Sequence, residues 1–493
     1  MSSADWLRWS REAPDADAVV WDGGAWSWRD LALAVDEWAA YLERTGLRPG
    51  DTVALKAEIG PGFLLGLLAF WRVGAVASPV FPGLTASERD RQDRLLRPQW
   101  SFAWHESATP SGHVGEPALR PLRPGEHAVH CGETLDDGRT GAVLLTTSGS
   151  TGEPRGVLLS HEALEASARA TGERLRLAPH HRWGLLLSPA HAGGLSTVVR
   201  GLVLGGGLRF WSKRHRYGAA AASVLRGEVS HLSVVPALAQ TLLDEGLTGP
   251  PPSFRCLLVG GAATGERLRT MAEKAGLPLA LTWGMTETGG QVATAPPEDV
   301  AAGAEGVGLP LSGMEVAVGE EGRLSVRGSF LASGVVEGPG SDLAPVPTDG
   351  DGWYATQDVG QEGRDGRLRI LGRRDEIIVS GGTKVHPLEV EDVLTRHEGV
   401  SGAGVVGLPD ERWGEVVVAA VVPQGEPPPS EGVLKDWCRN HLTRSRCPTH
   451  IVFLPELPLT RSGKVARRRL AALLSRPGTT VQAAALPTSN HER

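Results

Sequence analysis

Between residues 52 and 259 the chain alternates short apolar runs with amphipathic stretches, and few architectures accommodate that pattern. Thr52–Leu55 reads as a strand, Gly62–Trp71 as a helix and Val73–Val80 as a second apolar run. Strand–helix–strand order points to a parallel α/β sheet, because parallel neighbours need a crossover and the helix supplies it. The order recurs. Strands are expected at Trp183–Leu187, Leu208–Trp211, His231–Val235 and Arg255–Val259, and helices at Gly194–Val203, 217–226 and Ala237–Glu245. A further helix is expected over 26–47, where Trp28, Leu31, Leu33, Val35, Trp38, Ala39 and Leu42 recur at roughly helical spacing.

The pattern then changes twice. From Val307 to Ile370, short runs such as Glu315–Val318, Gly322–Arg327 and Arg367–Leu371 suit antiparallel hairpins, with a Pro/Gly/Asp-rich loop over 338–352. Past Arg374 a small α+β module is expected, with helices at Pro387–Arg396 and Gly432–Leu442 and strands at Val400–Val406 and Glu415–Val422. Two or more domains also follow from the length of 493 residues. The division expected is 1–374, 375–474 and a disordered tail over 475–493.

Composition narrows the class. Gly (64) and Pro (35) make up about one residue in five, with no collagen period, so many turns join many elements. A hydrophobic content of 41% is enough for a packed core. A net charge of −7 gives no sign of a nucleic-acid partner. Cys131, Cys256, Cys438 and Cys447 are far apart in sequence, which supports neither zinc nor a disulfide framework and fits a reducing cytosol. The apolar run Phe63–Trp71 is too short to span a bilayer and reads as a buried core helix.

The chemistry concentrates in five segments. Leu144–Ser160 (LLTTSGSTGEPRGVLLS) runs from an apolar strand into hydroxyl and glycine residues, then into a second apolar run. Hydroxyls, amides and small residues suit close wrapping of phosphate, although the Walker A spacing is absent. The others are Gly260-Gly261-Ala262-Ala263 leading to TWGMTETGGQ, then WYATQD, GRRDEIIVSGGTKVHPLEVE and LPLTRSGKVARRRL. A decoy, Gly402-Ala-Gly-Val-Val-Gly407, leads into a turn rather than a helix and reads as a strand. The charge run Arg467–Arg469 by itself reads as a solvated helix face.

Together, in this order, these segments resemble the adenylate-forming superfamily of acyl-CoA synthetases, adenylation domains and luciferases. The resemblance spans about Trp28 to Leu470. It implies a large N-terminal domain of α/β sheet subdomains plus a β subdomain, and a small mobile α+β C-terminal domain. It also implies ATP, Mg²⁺ and CoA. Thr147, Ser148, Gly149, Ser150, Thr151, Gly152 and Arg155 would cradle phosphate, with Arg155 replacing the usual Lys. Gly261, Ala262 and Ala263 would lie along adenine, with Ala263 replacing the commoner Pro, and Trp283 would stack near it. Thr286 would bond phosphate and Glu287 would help hold the metal. Asp358 would bond the ribose hydroxyls, with Gln357 before it where Gly is usual. Arg373 would contact ribose or phosphate, Asp375 would be the pivot, and Gly381 and Gly382 would border the pantetheine arm. Lys464 would enter the site for adenylation.

Within that superfamily the segment PAHAGGLS, the form GMTETGGQ and the altered residue before Asp358 resemble the o-succinylbenzoate–CoA ligase branch of menaquinone synthesis. This makes His191, Ser196 and Gln291 candidates for the acyl pocket. An aryl- or medium-chain acyl-CoA ligase, a stand-alone enzyme loading a carrier protein, and a non-catalytic acyl-adenylate binder are the rivals. The expected partners are a small carboxylate and CoA, without nucleic acid or a transmembrane segment. A monomer and a homodimer both remain open.

Overall fold

The computed structural model describes residues 6, 8–103, 118–122, 131, 139–148, 154–212, 216–460 and 463–475. Residues 149–153 of the expected phosphate loop and the expected tail from 476 lie outside the described residues.

A large N-terminal domain is built on three sheets. One has seven strands, with Thr52–Lys56, Val76–Val80, Trp100–Ala103 and Gly141–Ser148 at its centre in parallel pairing. The hairpin partner Pro154–Ser160 closes one side antiparallel, and Gly334–Val336 forms the edge. A second sheet has nine strands. Its parallel centre includes Trp183–Gly184, Leu208–Arg209, His231–Val234, Cys256–Val259 and Leu279–Met285. The third is a four-stranded antiparallel sheet containing Tyr354–Glu362 and Leu368–Arg373.

The helices form where their apolar faces can be buried. Trp28–Arg44 starts at a reciprocal Ser27–Asp30 cap and buries Leu31, Val35, Trp38 and Leu42, one stripe at helical period. Pro61–Arg72 begins on a proline, and Gly62 to Trp71 are all buried, as expected of a core helix. No helix among the described residues is long and apolar enough to cross a membrane. The four cysteines are all free thiols.

The small C-terminal domain carries a five-stranded sheet. Val400–Asp410 pairs with Gly414–Pro423, and the Gly402–Gly407 run lies inside the first of these strands. The helix Pro387–Thr395 packs on them through Val390, Val393 and Leu394.

Three expectations need correction. The first helix starts at Trp28 because Gly24–Ser27 is a strand. The strand expected over Trp183–Leu187 contains only Trp183–Gly184, with one further bond from Leu185 N–H to the Arg209 carbonyl at 3.0 Å. Arg467 is not on a solvated face. It lies mostly buried and donates to Glu376 at 2.8 Å, to both carboxylate oxygens of Glu391 and to the Val405 carbonyl at 3.0 Å. Three carboxylate bonds repay the desolvation of one guanidinium, which an exposed helix would not require. The helices Ala86–Leu96, His161–Arg174 and Glu266–Lys274 carry little sequence signal, because their apolar positions are few or consist of alanine.

Candidate active site

The strand Leu279–Met285 organises the site. It ends in a tight fold-back, the turn Thr286–Thr288, and returns as Gly290–Ala295. Gly284 permits this, since a Cβ there would stand 1.6 Å from the Gly290 carbonyl oxygen. One reversal thus places Trp283, Thr286, Glu287 and Gln291 around a single corner.

The first cluster joins Trp283, Asp358, Arg373 and Lys464. The indole of buried Trp283 donates to Asp358 Oδ2 at 2.8 Å. Asp358 and Arg373 face each other across adjacent strands. Burial raises the Asp358 carboxyl, while the Trp283 hydrogen bond and the charges of Arg373 and Lys464 pull it down. Arg373 pairs with Asp375 at 3.0 Å; burial lowers its guanidinium, but that partner lifts it further. Lys464 stands in a cleft with protein packed densely about it, yet solvent still reaches its side chain. Desolvation lowers its ammonium, and Asp358 opposes that shift. Its loop rests on the large domain: a Cβ on Gly463 would stand 3.1 Å from Val235 Cγ2, and one on Gly261 3.3 Å from Val235 Cγ1.

The second cluster surrounds Glu287. The Tyr354 hydroxyl donates to Glu287 Oε1 at 3.3 Å. Burial, then the Glu287 charge, push the Tyr354 phenol up to about 12, so it stays a donor at neutral pH. Arg155 reaches the same corner and pairs with Glu337 at 2.6 Å. Thr147 faces Arg155 across the hairpin that brackets the phosphate loop, and Ser148 ends its first strand. Gly149, Ser150, Thr151 and Gly152 lie outside the described residues.

The third cluster was not anticipated. Arg200 is fully buried on the helix Ala192–Leu204, one turn beyond Ser196. It donates to Gln291 Oε1 at 2.6 Å and Thr197 Oγ1 at 3.0 Å, and its guanidinium lies 4.3 Å from the Trp183 ring centre. Burial lowers Arg200 to about 9, so it remains charged at neutral pH. No carboxylate among the described residues pairs with it. Gln291 is committed within this network: it also accepts from Thr171 at 3.0 Å and donates to Thr294 at 2.7 Å. Ser196 donates to the Gly193 carbonyl and sits beside Gly290. His191 is the residue immediately before the same helix, with its ring 5.8 Å from Phe81. An arginine inside the apolar run Leu195–Leu204 was the sequence signal for this cluster.

Gly381 and Gly382 form a turn within the small domain, at φ +55° and +80°, and a Cβ on Gly381 would meet the exposed Trp413 ring at 2.6 Å. Ala262 and Ala263 follow Gly261 in the loop after Cys256–Val259.

Comparison with known proteins gives a consistent picture. Residues 6–336 match the model of the AMP-binding enzyme family, and residues 389–464 match that of the AMP-binding enzyme C-terminal domain. The 2-succinylbenzoate–CoA ligase of Bacillus pumilus is 30% identical over 484 residues, covering 95% of this chain and 98% of that protein. The o-succinylbenzoate–CoA synthetase of Bacillus subtilis, solved with its acyl-adenylate intermediate, superposes with a TM-score of 0.79 at 27% identity, covering 94% of this chain and 97% of that one. The same enzyme solved with ATP and magnesium gives a TM-score of 0.80 at 26% identity, covering 94% and 99%.

Proposed function

The chain belongs to the AMP-binding enzyme family, and from that premise we propose that it is an ATP-dependent, AMP-forming 2-succinylbenzoate–CoA ligase of menaquinone biosynthesis. The observation that carries the choice of substrate is Arg200. A buried guanidinium without a carboxylate partner is costly. A substrate with a second carboxylate, entering beside Ser196, would complete it. The unbridged cysteines support a cytosolic setting.

In the first half-reaction a substrate carboxylate oxygen attacks the α-phosphorus of ATP. A new P–O bond forms, and the bond to pyrophosphate breaks. Lys464 is the residue we assign to bridging carboxylate and α-phosphate oxygens, since it combines charge with position at the point where negative charge crowds. Asp358 offers two acceptor oxygens suited to the ribose diol, and Trp283 holds that carboxylate from behind. The 147–155 hairpin would take the phosphates, with Arg155 as its guanidinium donor. Magnesium arriving with ATP supplies charge neutralisation at the phosphates. Glu287 would help hold it, and Thr286 would bond phosphate. Among the described residues no three His, Cys, Asp or Glu side chains could hold a metal by themselves.

In the second half-reaction the CoA sulfur attacks the acyl carbon, its proton is lost and AMP leaves. The nearest atoms to a Cβ on Gly381 belong to Trp413 of the small domain, and one on Gly382 would meet nothing within 4 Å, so the small domain would turn about Asp375 to bring them in. We place the domain boundary at 374/375 on this ground. The test is pyrophosphate release, then thioester formation with CoA, over a panel of carboxylates. Activity is expected with 2-succinylbenzoate well above benzoate and medium-chain acids. A preference for monocarboxylates, or transfer only to a carrier protein, would overturn the assignment.

A further inference from the structure

We propose that Asp392, on the small domain, is a positioning residue for Lys464, and that it acts by capping a helix of the large domain only while Lys464 is docked. This rests on the reading of Lys464 as the adenylation residue and of the small domain as mobile.

The helix Glu266–Lys274 begins after Gly265 and has no side-chain cap of its own. Its first amides therefore lack partners within the large domain. Glu266 N–H donates instead to Asp392 Oδ1 at 3.1 Å, across 126 residues of sequence. The absence of a side chain at 265 is what admits this foreign carboxylate. A Cβ there would stand 3.3 Å from Asp392 Oδ1 and 3.5 Å from Thr395 Oγ1. The positive end of the helix dipole favours the carboxylate, as does the charge of Arg269 on the same helix. On its own helix Asp392 is held by Arg396 at 2.5 Å. Beside it, Arg267 of the large-domain helix donates to the Val400 carbonyl of the small domain at 2.5 Å.

The contact is mechanically tied to Lys464. Glu391, adjacent to Asp392, binds Arg467, three residues beyond Lys464. Arg467 also binds Glu376, next to the proposed pivot. The pivot turn, the capping helix and the Lys464 loop thus move as one unit. A small domain seated on Glu266 by Asp392 has its Gly463–Lys464 loop seated on Val235. When the domain turns, Asp392 leaves the helix end and water takes its place. The cap therefore stabilises one orientation and not the other, which is the condition for biasing an equilibrium.

The test uses the full-length enzyme with Asp392→Ala and, from the opposite side of the interface, Gly265→Ser. The serine gives the helix its own cap and crowds the carboxylate. Both variants are expected to slow adenylation roughly fivefold. Thioester formation from supplied acyl-adenylate should be unchanged or faster. Amide exchange over 463–466 should accelerate in both, although these residues touch neither substitution. An equal fall in both half-reactions, or unchanged exchange over 463–466, would overturn the proposal. A wild-type enzyme that releases no pyrophosphate would sink the adenylation reading alone, because the exchange result still decides whether Asp392 seats the loop.

Discussion

The nucleotide corner and the Arg200 pocket are built on opposite electrostatic plans. Around Asp358, each charge meets a counter-charge: Arg373 with Asp375, and Lys464 within the field of Asp358. Around Arg200 a single cation is held by neutral groups, Gln291, Thr197 and the face of Trp183. The first corner opens on solvent and the domain junction; Arg200 is closed off from solvent, so a substrate carboxylate would have to displace side chains beside Ser196 to reach it. A corner that must accept and release a nucleotide each turnover keeps its charges compensated without it. A pocket that selects one acyl group can leave a charge for the substrate to neutralise, because rejecting the wrong acid is then a matter of leaving that charge unpaired.

Breaking the first corner should have the largest effect. On the proposed assignment Lys464→Ala removes the cation that bridges carboxylate and α-phosphate, and it is expected to slow adenylation by about 10²–10³-fold. Conversion of supplied acyl-adenylate to thioester should survive. Rapid-quench measurement of the two half-reactions decides it, and equal losses in both would remove Lys464 from its assigned place. Arg200→Met tests the other plan with a smaller effect. Loss of the substrate's partner is expected to lower kcat/KM for 2-succinylbenzoate by about 30–100-fold, on the order of 2–3 kcal/mol. Benzoate should be used no worse than before. Thermal unfolding should stay level or rise, since a lone buried charge gives way to an apolar side chain of similar reach. A matched drop for both acids would mean that Arg200 only supports the fold.

The two corners also differ in how far they could be read beforehand. Trp283, Glu287, Asp358, Arg373 and Lys464 sit in short segments whose residues and order along the chain resemble the adenylate-forming superfamily, and that resemblance made them legible. The alternation of strands and helices was equally legible wherever a buried stripe is made of large apolar residues. Arg200 carried a weaker signal, one charge in an apolar helix, and its meaning depends on Gln291, ninety-one residues away. Arg467 reads from sequence as a helix-surface charge, and Asp392 carries no local signal. Their partners, Glu266 N–H, Glu376 and Glu391, are brought to them by tertiary packing, and no local pattern announces such a meeting.

The smallest effect sharpens the boundary between the plans. Tyr354 lies beneath Glu287 and is buried, so its hydroxyl can serve either as ordinary core satisfaction or as a fixed hand on the carboxylate. Tyr354→Phe keeps the ring and removes one hydrogen bond to a charged group. If the hydroxyl orients Glu287 toward the metal–phosphate complex, adenylation should fall about five- to tenfold, matching roughly 1–1.5 kcal/mol for one such bond. The magnesium concentration giving half-maximal rate should rise, because the freed carboxylate must be reoriented on binding. Selectivity between 2-succinylbenzoate and benzoate should not move, since Arg200 is untouched. Titrating magnesium at saturating ATP, in wild type and variant, separates the cases. An unchanged magnesium dependence with lower thermal stability would assign the hydroxyl to the core, leaving Glu287 positioned by the Thr286–Thr288 turn alone.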